Sequence, residues 1–215
     1  MENTIQFIFQ IVILIFSVVI HEVSHGYMAL YLGDKTAYYA GRLTLNPLKH
    51  LDPFGSVILP ILSYFLGGFI FGRAKPVPYN PYNLRDQKRG SALVAAAGPL
   101  SNLSLAVIFG LLIRAMPYFS NHFSGSFVLN FMHIASFVVL INLVLAVFNL
   151  IPVPPLDGSK ILFSLLPYNW DKLRLFLEQY GIFLLVLFIL FLADWVLLPL
   201  AIISFRFLTG TLPFF

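Results

Sequence analysis

The sequence predicts an all-α polytopic membrane protein, with three core transmembrane helices, a re-entrant segment, short β-strand elements and a C-terminal hydrophobic helix or hairpin. Three observations predict it. Of 215 residues, 59% are hydrophobic and only 10% are charged, against roughly 25% charged in soluble domains. The apolar residues fall into runs, three of which reach the roughly 20 residues that cross a bilayer as a helix. The basic residues gather at the ends of these runs, so the net charge of +4 reads as a topology signal and not as a nucleic-acid footprint. The length suits one integral membrane unit, residues 1–215, with the lipid bilayer as its solvent. Cysteine is absent, which excludes disulfides and thiolate metal ligands.

The first run extends from about Ile5 to Leu32 and stops at Gly33-Asp34, a helix-ending pair. It lacks a basic n-region and a small-residue cleavage pattern, so it is expected to stay as a helix and not to be removed as a signal peptide. The second run, Phe54 to Phe71, contains Pro60 and Gly67-Gly68 as possible bends. The third runs from about Ser91 to Met116-Pro117. The fourth runs from Phe127 to Ile151 and is halted by Pro152, Pro154 and Pro155. A last apolar stretch, Gly181 to Leu208, is interrupted by Asp194 and Pro199 and reads as one span or a hairpin. Between the runs, Gly41–Asn46 alternates polar and apolar residues. Residues Arg73–Asn80 are extended by Pro76 and Pro78. Both are expected as short strands, the second being equally readable as a loop.

Near the end of the first run stand His21-Glu22-Val23-Ser24-His25. A helix places His21 and His25 one turn apart on the same face, where both imidazoles can bind one metal ion. Glu22 lies beside them and can act as general base on a metal-bound water. The sixteen residues before His21 carry only Gln6, Gln10 and Ser17 as polar side chains. Two histidines and a carboxylate at that depth are costly, and so point to function. Catalytic zinc takes three protein ligands. Asp157, in Asn149-Leu-Ile-Pro-Val-Pro-Pro-Leu-Asp157-Gly158, is the candidate for the third. Its competing role is to cap the helix that follows. Zn²⁺ with Asp157 and ionised Glu22 makes a near-neutral cluster, which limits the cost of burying it.

Three motifs occur in order: His21 to His25, then Ala97-Gly98-Pro99-Leu100-Ser101-Asn102, then Asn149 through Asp157-Gly158. In this the chain resembles the site-2 protease family of intramembrane zinc metalloproteases, in a small form without a PDZ or CBS domain. The resemblance covers residues 5–167. It implies that His21, His25 and Asp157 bind one Zn²⁺ per chain and that Glu22 is the catalytic base. It also implies that Asn149 contacts the substrate backbone or the oxyanion. The expected reaction is hydrolysis of peptide bonds within or next to transmembrane helices of protein or peptide substrates. The rival readings are a metal transporter, which does not require Glu22 between the histidines, and a helix-binding protein that does not cut.

Topology follows from parity. His25, Gly98 and Asp157 meet at one membrane face only if the second run, residues 53–72, dips in and returns; the alternative is a true span. Arg42, Lys49, Arg73, Lys75, Lys160, Lys172 and Arg174 flank that face, whereas residues 117–126 contain no Lys or Arg. The positive-inside rule then places the site towards the cytoplasm, in an integral protein of the cell membrane.

Overall fold

The computed structural model describes residues 2–52, 75–167 and 170–213. Among them, helix α1 spans Glu2–Tyr31, α2 Thr36–Tyr39, α3 Gln87–Phe119, α4 Gly125–Asn149, α5 Asp157–Leu165, α6 Asp171–Phe191 and α7 Ala193–Thr209. Four stretches, Phe7–Tyr31, Gln87–His122, Gly125–Asn149 and Asp171–Phe191, are long and apolar enough to cross a membrane by length and composition. Large apolar side chains such as Phe9, Ile108, Leu111, Ile182, Phe183 and Ile203 stand exposed along these helices and α7. A bilayer would cover them, and water would not.

Each boundary has a local cause. At the end of α1 the Asp34 N–H donates to the Ala29 carbonyl and the Gly33 N–H to that of Leu30, with Gly33 at φ +111°. This is the glycine-closed helix end that the Gly33-Asp34 pair predicts. Asp86 opens α3 by accepting from the Arg89 N–H, and Ser124 opens α4 by accepting from that of Phe127. Helix α3 lies at the centre and packs against α1, α4, α5 and α7. Far from its start, Ala106 and Ile113 join Ala135, Val139 and Leu143 of α4 and Ala201 and Phe205 of α7 in a buried apolar cluster.

The expected β-strands are not present: no strand occurs among the described residues. Residues 41–46 hold a turn at Gly41 and a bend at Thr44 and are otherwise irregular. Residues 75–80 pair with no strand, and apart from Tyr79 their donors are engaged elsewhere or missing. Lys75 N–H donates to the His50 carbonyl, Val77 N–H to Glu22 and Asn80 N–H to Asp34, while Pro76 and Pro78 have no N–H. The re-entrant segment expected at 53–72 falls outside the described residues. Its flanks meet at the Lys75–His50 hydrogen bond of 2.9 Å, so Lys75 and His50 lie together. The C-terminal stretch is two helices, broken at Leu192 and not at Asp194 or Pro199. Helix α6 also begins ten residues before Gly181, since Asp171–Tyr180 is helical but carries charges that hide it from a hydropathy reading.

Candidate metal centre

Three elements deliver the site. His21 and His25 lie near the C-terminal end of α1, their rings edge to face with centroids 4.7 Å apart. Gly98, one residue before Pro99 in α3, lies directly against them. A Cβ built there would stand 2.5 Å from His25 Nε2 and 2.6 Å from His21 Nε2. Asp157 is the first residue of α5 and is 8% exposed. Its side chain caps nothing, since Leu156 is the N-cap residue and makes no side-chain cap bond. The carboxylate turns instead to the histidines. A Cβ on Gly158 would collide with the Leu150 and Ile151 carbonyls, so the turn that brings Asp157 inward closes only around a glycine.

His21 Nε2, His25 Nε2 and Asp157 Oδ2 form a triangle with every side 3.1 Å. Ligand atoms held about 2.0–2.1 Å from a tetrahedral zinc lie roughly 3.3 Å apart, so the spacing fits. The tautomers fit as well. His25 Nδ1–H donates to the Val94 carbonyl at 2.6 Å, and His21 Nδ1–H donates to Asn102 Oδ1 at 2.6 Å. Each neutral imidazole thus presents a bare Nε2 lone pair inward. Three lone-pair-bearing atoms facing one another in a buried pocket repel unless positive charge lies between them. Two imidazoles and a carboxylate suit zinc, and this is the one cluster of its kind among the described residues.

Glu22 is outside the triangle. Its Oε2 accepts the Val77 N–H at 2.9 Å. Pro76 and Pro78 flank that amide, so Val77 offers the only N–H between Lys75 and Tyr79. Lys160 Nζ stands 3.9 Å from Asp157 Oδ1 and 5.4 Å above the Tyr79 ring. Asn149 is the last residue of α4, and its amide donates to the Leu145 carbonyl at 2.9 Å.

The sequence reading assigns no role to Asn142 or Val77, and it includes Asn102 only as part of a motif. All three matter to the arrangement. Asn102 links His21 to Asn142 of α4, and Asn142 reaches back to Ser17 of α1. A signal was available for one of them and for its partner: Asn142 is an amide inside an apolar run, and Ser17 is one turn before His21 on the same helix face. Nothing local marks the Val77 N–H.

Comparison with known proteins agrees with this geometry. The family model described as Peptidase family M50 matches residues 9–122 and 121–192. A Bacillus subtilis protein named as a zinc metalloprotease, YwhC, is 39% identical over 191 residues, 88% of this chain and 84% of that protein. A Mycolicibacterium smegmatis protein named as a zinc metalloprotease, Rip2, is 32% identical over 176 residues, 81% of this chain and 63% of that protein. No solved structure matches the chain.

Proposed function

The chain belongs to peptidase family M50, the site-2 protease family that its three motifs resemble, and from that premise we propose that it is a zinc metalloprotease cutting peptide bonds within or next to transmembrane helices. One observation carries the reading: His21, His25 and Asp157 converge at 3.1 Å with both imidazole protons turned outward, while Glu22 lies beside them without joining. A transporter site does not require a carboxylate there, whereas hydrolysis needs a general base.

His21, His25 and Asp157 hold one Zn²⁺ per chain. When bound, the ion supplies a Lewis acid that polarises a carbonyl and brings water's acidity towards neutral pH. Glu22 takes the proton from the attacking water and passes it to the leaving amine. The Val77 N–H fixes one Glu22 oxygen and leaves the other for that proton. Asn149 has a second amide hydrogen beyond the one given to Leu145, which serves the developing oxyanion. Substrates are membrane proteins or peptides, whose helix must unwind first because its carbonyls are held in its own hydrogen bonds. Flanking Lys and Arg support a cytoplasmic orientation of the site in the cell membrane.

The test is co-expression with candidate single-span proteins, comparing the wild type with Glu22→Gln and reading products by mass. Cleavage by the wild type alone is expected. Equal cleavage by both would remove Glu22 as the base, and zinc movement across vesicles without any cleavage would favour transport.

A further inference from the structure

Asn102, Asn142 and Ser17 are 0%, 0% and 3% exposed, and three polar side chains buried between apolar helices call for a reason. Their hydrogen bonds admit one orientation. The Asn142 amide gives one hydrogen to Ser17 Oγ at 2.9 Å and the other to the Val138 carbonyl at 2.8 Å. Asn142 Oδ1 is therefore an acceptor, and it takes a hydrogen from Asn102 Nδ2 at 2.7 Å. The second Asn102 amide hydrogen points to the Ser17 carbonyl, at 3.4 Å. Both Asn102 hydrogens are engaged, so Asn102 Oδ1 must face His21 Nδ1. Turning either amide over would set carbonyl against carbonyl and amide against amide at these distances. A carbonyl-type oxygen 2.6 Å from His21 Nδ1 requires a proton on that nitrogen, and a neutral ring with a proton on Nδ1 has none on Nε2.

We propose that Asn102 is a positioning residue, oriented by Asn142 and Ser17, that locks His21 in the tautomer whose Nε2 is bare and aimed at His25 and Asp157. The chain crosses three helices, from α1 through α3 to α4 and back to α1. It therefore ties the state of one ligand to the packing of the bundle. His25 needs only a backbone carbonyl, Val94, for the same purpose, because α3 already passes beside it. The inference rests on the metal-centre reading for its purpose, but the tautomer can be read without metal.

The experiment uses the full chain purified in detergent. Zinc affinity is measured by competition with a chelator, and the His21 tautomer by ¹⁵N chemical shifts of histidine-labelled, zinc-free protein. Asn102→Leu is expected to weaken zinc binding about 10- to 100-fold and to turn a single His21 tautomer into a mixture. Asn142→Leu, which touches no ligand, is expected to do both to a lesser degree. Phe205→Ala, a packing change in the apolar cluster, is expected to lower the melting temperature and move neither readout. Should Asn102→Leu not fold, Asn102→Ser keeps a small polar group but cannot reach His21, and the same losses are expected. Unchanged zinc affinity together with an unchanged tautomer in the Asn102 variant overturns the proposal. Wild type with a locked tautomer and no zinc affinity overturns the metal reading and leaves the lock standing.

Discussion

Helix α3 carries two buried regions of opposite character. Around Val94, Gly98 and Asn102 it meets His21, His25 and Asp157, where buried polar atoms are held in directed pairings. Around Ala106 and Ile113 it meets Ala135, Val139, Leu143, Ala201 and Phe205, where contacts are apolar and directionless. In a bilayer lipid is as apolar as leucine, so the second region holds together by close packing and not by escape from water. The polar region would be expensive without its pairings. Substitutions in the first region should therefore change chemistry with modest effect on stability, and those in the second should do the reverse.

The largest expected effect tests the polar region directly. Gly98→Val should abolish both zinc binding and cleavage, because even a Cβ would stand 2.5 Å from His25 Nε2. Elemental analysis would show zinc falling from one per chain to background while the helical circular dichroism stays. Retained zinc would mean that the imidazoles can move aside, and the contrast with the apolar region would weaken. Glu22→Gln should leave zinc in place and reduce cleavage by about 10²–10⁴-fold, the range for loss of a general base. Loss of zinc in that variant would make Glu22 a ligand.

The apolar region predicts the opposite pattern. Phe205→Ala opens a cavity of roughly 100 Å³, and at about 24 cal/mol per Å³ this costs about 2 kcal/mol. Thermal unfolding should register that loss, with zinc content unchanged. Zinc loss here would show the two regions to be coupled along α3.

The smallest expected effect belongs to Asp34, at the end of α1. It is fully buried and accepts from Thr36 N–H, Thr36 Oγ1, Asn80 N–H and Asn83 Nδ2. Burial pushes its carboxyl up, but the hydrogen bonds from Thr36, Asn83 and Asn80 outweigh that and hold it below the ordinary value. A depressed folded-state pKa gives stability that is present above the unfolded value, about 3.9, and is lost as the pH falls through the folded one. Asp34→Ala should therefore lower stability by on the order of 1–2 kcal/mol at neutral pH, a difference that shrinks in acid. Melting curves of both proteins from pH 7 to pH 3 would check it, and a pH-independent gap would rule out the ionised carboxylate as the cause.

How much of this was legible in the sequence follows from the range over which each feature is determined. The apolar runs, the stop at Gly33-Asp34 and the histidine pair are consequences of helix period and capping chemistry. These act within a few residues, so the sequence determines them. Tertiary structure alone decided which atoms the Asp157 carboxylate faces, that residues 75–80 give their amides to Glu22 and Asp34 instead of to a strand, and that Asn102 faces His21. Each of those is a choice among hydrogen-bond partners 46 to 136 residues apart. A polar atom has several possible partners in sequence but usually one in direction, and direction exists only once the helices have packed.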